Sequence, residues 1–141
     1  MIIEVLRTVL LEDPDVAAAF GDRIYPDAAP DAPTFPLVVL TKVSGLEGYD
    51  LGGRAGFEEA RVQADVYSER GASDSIAKKQ IVKNRLSAFA GGPLISGTGS
   101  TCAIDRCLCI NDFASPESST EHAGPRLRRR ILEFRIWNRE I

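Results

Sequence analysis

The sequence predicts an α+β fold: a single domain over residues 1–141, built on a mainly antiparallel sheet of about four strands with an N-terminal helix and one long helix packed on one face. Three observations carry this. Four stretches read as strands, and in Arg61 to Tyr67 apolar and polar residues alternate with the period of two of a strand buried on one face. Two others place apolar residues at helical spacing. Tight or loop-bridged strand pairs flank the long helix, which suits an antiparallel sheet with helices on one side. At 141 residues the chain can bury a core without disulfide or metal support.

The elements follow in order. Ile2, Leu6, Val9 and Leu10 form an apolar stripe, so the chain opens with a helix ending near Leu11 or Glu12. Asp13-Pro14 restarts it, a capping carboxylate before proline at the first helical position, and predicts a short helix from Pro14 to Phe20 ended by Gly21. Asp22 to Phe35, with three prolines, reads as an ordered but irregular crossing segment. Phe35 to Val43 is a strand, with Leu37, Val39 and Val43 on one face, Val38 and Leu40 on the other, and both faces at least partly covered. Ser44 to Gly56 holds five glycines among Leu46, Tyr49 and Leu51, and reads as a projecting hairpin tip or mobile loop.

Arg61 to Tyr67 alternates Val62, Ala64 and Val66 with Arg61, Gln63 and Asp65, a strand expected beside Phe35–Val43. After a turn at Gly71, Ser73 or Asp74 caps a helix running to about Ala90, its face made by Val82, Leu86 and Phe89 with Ile76 close by; Gly91-Gly92-Pro93 stops it. Gly91 to Ser100 reads as a glycine-rich connection. Thr101 to Ile110 reads as a strand with Cys102, Ile104, Leu108 and Ile110 on one face, interrupted by Arg106. Asn111 to Pro125 is a polar loop. Leu127 to Ile141 closes the sheet, with Leu132, Phe134 and Ile136 on one side and Ile131, Glu133, Arg135 and Trp137 on the other. Only adjacent pairings are needed, and there is no internal repeat.

A hydrophobic content of 44% and a net charge of −3 argue against a free-standing nucleic-acid binder. The charge is uneven: acids crowd the first third, whereas Arg126 to Arg139 holds six arginines, a segment suited to phosphate or an acidic partner. No apolar run reaches membrane-spanning length and no cleavable signal pattern precedes Glu4, so no membrane partner and a cytosolic site of synthesis are expected. Three cysteines, an odd number, fit a reducing compartment better than a disulfide framework.

Candidate chemistry is thin. Cys102, Cys107 and Cys109 form C-x4-C-x-C, with His122 as a conceivable fourth zinc ligand. On a straight strand Cys102 points away from the other two and the knuckle turn is missing, so the cysteines read as small buried hydrophobes. His122 lies near Ser118, Ser119 and Asp112 in a loop that supplies neither an oriented base nor a rigidly held nucleophile. The glycine patterns lack the context of a nucleotide site. Glu58, Glu59 and Asp65 read as solvated charges, because nothing local would separate their pKa values. Lys78, Lys79, Lys83 and Arg85 make the long helix basic, as a solvated face or a partner surface. Trp137, flanked by Arg135 and Arg139, either packs under another part of its own chain or meets a partner.

Several phrases together resemble a family. They are the helix before Asp13-Pro14, Arg23-Ile24-Tyr25-Pro26, Pro33-x-x-Pro36 leading into Leu37-Val38-Val39-Leu40, Val62-Gln63-Ala64-Asp65-Val66-Tyr67 before a helix, and Arg130-Ile131-Leu132-Glu133-Phe134-Arg135-Ile136-Trp137. Across nearly the whole chain they resemble the tail-completion, or tail-terminator, proteins of long-tailed bacteriophages and gene transfer agents. The glycine-rich stretch around Tyr49 and the cysteine-bearing strand depart from that pattern. The resemblance implies a structural virion protein of the tail or neck, not an enzyme, with no cofactor. It would form a homo-oligomeric ring, expected to be a hexamer, on the head-proximal end of the tail tube. There it would end tube polymerisation and offer the surface for the head-completion or connector protein, while DNA passes the lumen without sequence-specific contact. The residues expected at subunit or partner contacts are Tyr49, Arg54, Lys79, Lys83, Arg128, Arg135 and Trp137. The alternatives are a head-completion, adaptor or tail-tube component and, from another class, a small enzyme using Cys107 or His122, or a zinc module.

Overall fold

The computed structural model describes residues 2–95, 101–115 and 127–140. In chain order the elements are α1 (Ile2–Leu11), α2 (Pro14–Phe20), β1 (Ile24–Pro26), β2 (Leu37–Asp50), β3 (Gly53–Ser68), α3 (Ala72–Leu86), β4 (Gly91–Ile95), β5 (Thr101–Ala114) and β6 (Arg128–Glu140). The strands make one sheet in the order β1-β2-β3-β6-β5-β4. The pair β1–β2 is parallel and every other pair antiparallel, so the sheet is mixed and six-stranded rather than antiparallel and four-stranded.

The two unforeseen strands are short edge strands with weak sequence signals. β1 lies within the proline-rich crossing segment, and β4 starts on Gly91-Gly92-Pro93. Nor are adjacent pairings sufficient. β6 inserts between β3 and β5, so the strand that carries Leu132, Phe134 and Ile136 gains neighbours on both edges.

One sheet face carries the core. The α1 stripe Ile2, Val5, Leu6, Val9 and Leu10, with Val16 and Phe20 of α2 and Val82 and Leu86 of α3, covers Val62, Ala64, Leu132, Phe134, Ile136 and their neighbours. Asp13 caps α2 as expected: its Oδ1 accepts from the backbone N–H groups of Asp15 and Val16 at 2.8 and 3.2 Å. Arg7 Nε donates to the Ile24 carbonyl at 2.7 Å, and Arg85 Nε to the Val9 carbonyl at 3.0 Å, tying α1 to β1 and α3.

α3 departs from expectation at both ends. It starts at Ala72 behind Gly71 (φ 90°) without a side-chain cap, and Asp74 instead accepts from the Ser68 hydroxyl at the end of β3. It ends at Leu86, and the Ala88 N–H then donates to the Cys107 carbonyl at 2.8 Å. The inward face is Ser75, Val82 and Leu86, so Ile76, about 100° further round the helix, is exposed. Ser75 is held at that buried position by Arg130, whose Nε donates to its Oγ at 3.0 Å.

The Ser44–Gly56 stretch is an extension of two strands. β2 and β3 continue to a two-residue turn at Leu51-Gly52, with irregularities around Val43 and Gly48. β5 likewise runs on to Ala114, beyond its expected end at Ile110. Its pairing shifts between Ile104 and Arg106 and again between Cys109 and Asn111. Each extra residue reverses which side chains face the core. Cys102 and Ile104 therefore share the helix side with Cys107, whereas Leu108 does not join them.

Candidate assembly surfaces

On the sheet face turned away from the helices, the registers assemble a charged and aromatic surface. One cross-strand row reads Leu46, Glu59, Trp137, Arg106, and another Thr41, Gln63, Glu133, Asn111. Alternation along β3 and β6 puts these polar side chains opposite the core, and opposite charges fall within reach of each other. Arg135 Nε lies 3.1 Å from Glu59 Oε1, Arg61 Nε 3.6 Å from Glu133 Oε2, and Arg139 Nε 2.9 Å from Asp105 Oδ1. Arg129 Nη2 donates to Asp65 at 3.1 Å, and its guanidinium stands 5.9 Å from the Tyr67 ring. That burial and Arg129 act oppositely on the Tyr67 hydroxyl, and burial prevails, pushing its pKa up.

Trp137 is half-buried between two guanidiniums, Arg106 at 5.8 Å and Arg135 at 6.0 Å from its ring centroid. Its row lies on the side away from α1 and α3. Exposed Arg106, which the sequence presented as an interruption in a strand, is brought to Trp137 by the shift at Asp105. Only cross-strand register could have disclosed it.

The second surface is the β2–β3 arm. β1 pairs β2 only from Val38 to Leu40, and β6 follows β3 only as far as Phe57, so residues 44–56 project as a two-stranded ribbon. Such ribbons are marginal alone. Val43, Leu46, Tyr49, Leu51 and Phe57 supply five of the seven large apolar side chains exposed among the described residues. The Phe57 ring lies across Gly48, where a Cβ would come within 1.9 Å of it, which accounts for glycine at that point.

The expected contact residues divide between these surfaces and the frame. Tyr49 and the backbone of Arg54 pair across the arm, while the Arg54 side chain lies outside the description. Arg135 and Trp137 meet on the outer face. Arg128 is half-buried at the start of β6, pairs with Ser68 and donates from Nη1 to the Leu127 carbonyl at 3.2 Å. Lys79 and Lys83 both reach Asp112, at 3.0 and 2.9 Å, and so fasten α3 to the far end of β5.

Burial acts to raise the Asp112 pKa, but hydrogen bonds from Lys83 and Lys79 outweigh it and hold the carboxyl below its ordinary value. The same contact raises Lys83. A depressed carboxyl stabilises the fold above its unfolded pKa, about 3.9, and loses that contribution as pH falls through its folded value. A raised lysine contributes below about 10.4 and loses it as pH climbs through its folded value. Asp112→Asn is therefore expected to lower the urea midpoint by a constant amount between about pH 5 and 9, with the difference closing in stronger acid; urea titrations across that range check it.

Cys102 and Cys107 are buried and Cys109 partly so. Burial, with Cys109 nearby, pushes the Cys107 thiol up to about 12, so it carries essentially no thiolate near neutrality. Among the described residues no group of three or more His, Cys, Asp or Glu side chains has the geometry to hold a metal ion. Ser118, Ser119, His122 and Arg126 lie outside the described residues.

A family model described as "Tail completion protein gp17" matches residues 4–139. Among solved structures, a chain of the "Virion of native gene transfer agent (GTA) particle" superposes with a TM-score of 0.67 at 20% identity, covering 95% of this chain and 91% of that one. At that identity the likeness is one of fold. No curated protein matches the chain.

Proposed function

The chain belongs to the tail completion protein gp17 family and is a structural protein of a phage-type tail, and from that premise we propose that it closes the head-proximal end of the tail tube as a ring. The ring, expected to be a hexamer, ends tube polymerisation and presents the surface on which the connector docks. DNA passes through its lumen without sequence-specific contact. The protein works by shape and interfaces, in the virion tail or neck.

The observation that carries this reading is that one subunit bears two unlike uncovered surfaces, the Trp137–Arg106–Arg135 face and the apolar arm. A ring subunit that also engages another tail component needs one surface for each, and within the ring the Trp137 face would meet a different patch of the next subunit, as closure by rotation requires. The Trp137 face meets the neighbouring subunit. The arm reaches the tube or the connector.

Electron microscopy of purified tail tubes mixed with the protein tests the role. Rings at one end only, and tubes that no longer elongate, are expected. Attachment to connector rings instead would make it a head-completion or adaptor protein; incorporation along the tube would make it a tube subunit. Trp137→Ala is expected to raise the concentration needed for ring assembly by roughly 30-fold, the loss of an aromatic anchor worth about 2 kcal/mol. Light scattering reads this, and assembly at the wild-type concentration would remove Trp137 from the interface.

A further inference from the structure

Four ion pairs neutralise the sheet face around Trp137: Arg129 with Asp65, Arg61 with Glu133, Arg135 with Glu59, and Arg139 with Asp105. Arg106, the fifth arginine there, is not matched in this way. It is exposed, its guanidinium stands 5.8 Å from the Trp137 ring centroid, and no carboxylate among the described residues forms an ion pair with it. The face therefore presents one unmatched guanidinium beside a half-buried indole. Trp and Arg are the residue types most often found as anchors of protein contacts, and a guanidinium binds a carboxylate through two parallel hydrogen bonds.

Unmatched charge of the opposite sign stands elsewhere on the subunit. Residues 1–36 hold seven acidic side chains and two arginines. Both arginines turn Nε to main-chain carbonyls, Arg7 to Ile24 and Arg23 to Pro36, while Asp13 caps α2 and faces Arg85. Asp15 on α2, Asp22 between α2 and β1, and Asp27 just after β1 are exposed and have no ion-pair partner among the described residues. The surface of α2 next to Asp15 is exposed Ala17 and Ala18, small enough for a flat ring to approach.

These patches complement each other and lie on opposite sides of the subunit, one on the open sheet face and one in the helix layer. Rotation about a ring axis brings such a pair together between neighbours. α3, in the same layer, is a poorer match: its one acidic residue, Asp74, is already paired with Lys78. A nucleic-acid backbone is also a poorer match, because a phosphate at every step would run over Glu59, Asp105 and Glu133 as well as Arg106.

We propose that in the ring Arg106 and Trp137 of one subunit dock on the α2–β1 corner of the next, the guanidinium taking the carboxylate of Asp15 or Asp22 and the indole lying on Ala17 and Ala18. This rests on the ring reading and names the patch that the Trp137 face meets.

The test is a charge exchange. Arg106→Glu should raise the concentration needed for ring assembly about 30-fold, and Asp15→Lys combined with Asp22→Lys should do the same, because each sets like charges face to face. Mixed in equal amounts, the two variants should assemble again near the wild-type concentration. In an alternating ring with an even number of subunits, every contact then joins either two native patches or two reversed ones. Light scattering reads assembly of the free protein, and microscopy of capped tube ends reads it where rings form only on tubes. The substituted side chains are exposed, so each variant should keep its fold. Asp22→Lys alone, outside α2, replaces the double variant if that helix is disturbed. Wild-type protein that forms no ring by either readout would overturn the ring reading itself. Wild-type rings with either variant assembling at the wild-type concentration, or with a mixture no better than its components, would overturn this contact and leave the ring in place.

Discussion

Phe134→Ala is expected to destabilise the fold by about 3–5 kcal/mol, the largest effect of any single substitution considered. Phe134 is fully buried on β6, paired with Val62 of β3 on one side and Cys109 of β5 on the other. It belongs to the cluster that joins the sheet to the helices. Removing its ring forfeits the transfer energy of the ring and leaves a void that neighbours held by backbone pairing on both edges cannot close. Against a typical total stability of about 5–15 kcal/mol, that is a large share. Urea unfolding with an unchanged slope should show the whole loss as a shift in midpoint. Phe134→Leu, which keeps most of the volume, should cost much less. A loss below about 1 kcal/mol for the alanine variant would mean that β6 is not the centre of the core.

The second large effect concerns assembly and leaves the fold in place. Leu46→Asp, Tyr49→Asp and Leu51→Asp together should abolish capping of tail tubes, with apparent affinity falling by more than about 100-fold. Their stability cost should remain within about 1 kcal/mol. The separation follows from exposure: the three side chains are 72%, 70% and 110% exposed, so the isolated subunit gains nothing from burying them. Three carboxylates on an apolar docking ribbon would have to be desolvated without partners. Counting capped ends by microscopy alongside urea unfolding distinguishes the outcomes. Normal capping by a stable triple variant would remove the arm from the contact, and an unfolded variant would show that the ribbon packs on its own subunit.

The two surfaces differed in how far the sequence disclosed them. Leu46, Tyr49 and Leu51 were visible as apolar residues stranded among glycines, and a projecting hairpin tip was one reading of that composition. The ordered ribbon was not visible, because its pairing is maintained through irregularities at Val43 and Gly48 that break the period of two. Trp137 and Arg135 could be placed on the outer face by alternation within one strand. Arg106 could not, since its place beside Trp137 depends on the extra residue at Asp105. The same residue puts Cys102 and Cys107 on one face, where simple counting separated them. Lys79 and Lys83 read as a basic helix face; their shared partner Asp112 is 33 and 29 residues away.

The sequence by itself determined the elements whose signals are local. The stripe of α1, the Asp13-Pro14 start of α2, the alternation of β3 and β6 and the breaks at Gly21 and Gly71 each depend on neighbours a few residues apart, and backbone geometry turns such spacing directly into a buried face. Tertiary structure alone decided the strand order, with β6 between β3 and β5, the recruitment of β1 and β4 as edges, and the registers that set Arg106 on Trp137 and Asn138 beside Glu58. The physical reason is that strand pairing is settled by hydrogen bonds between distant segments. A single inserted residue exchanges the two faces without altering the local preference of either strand.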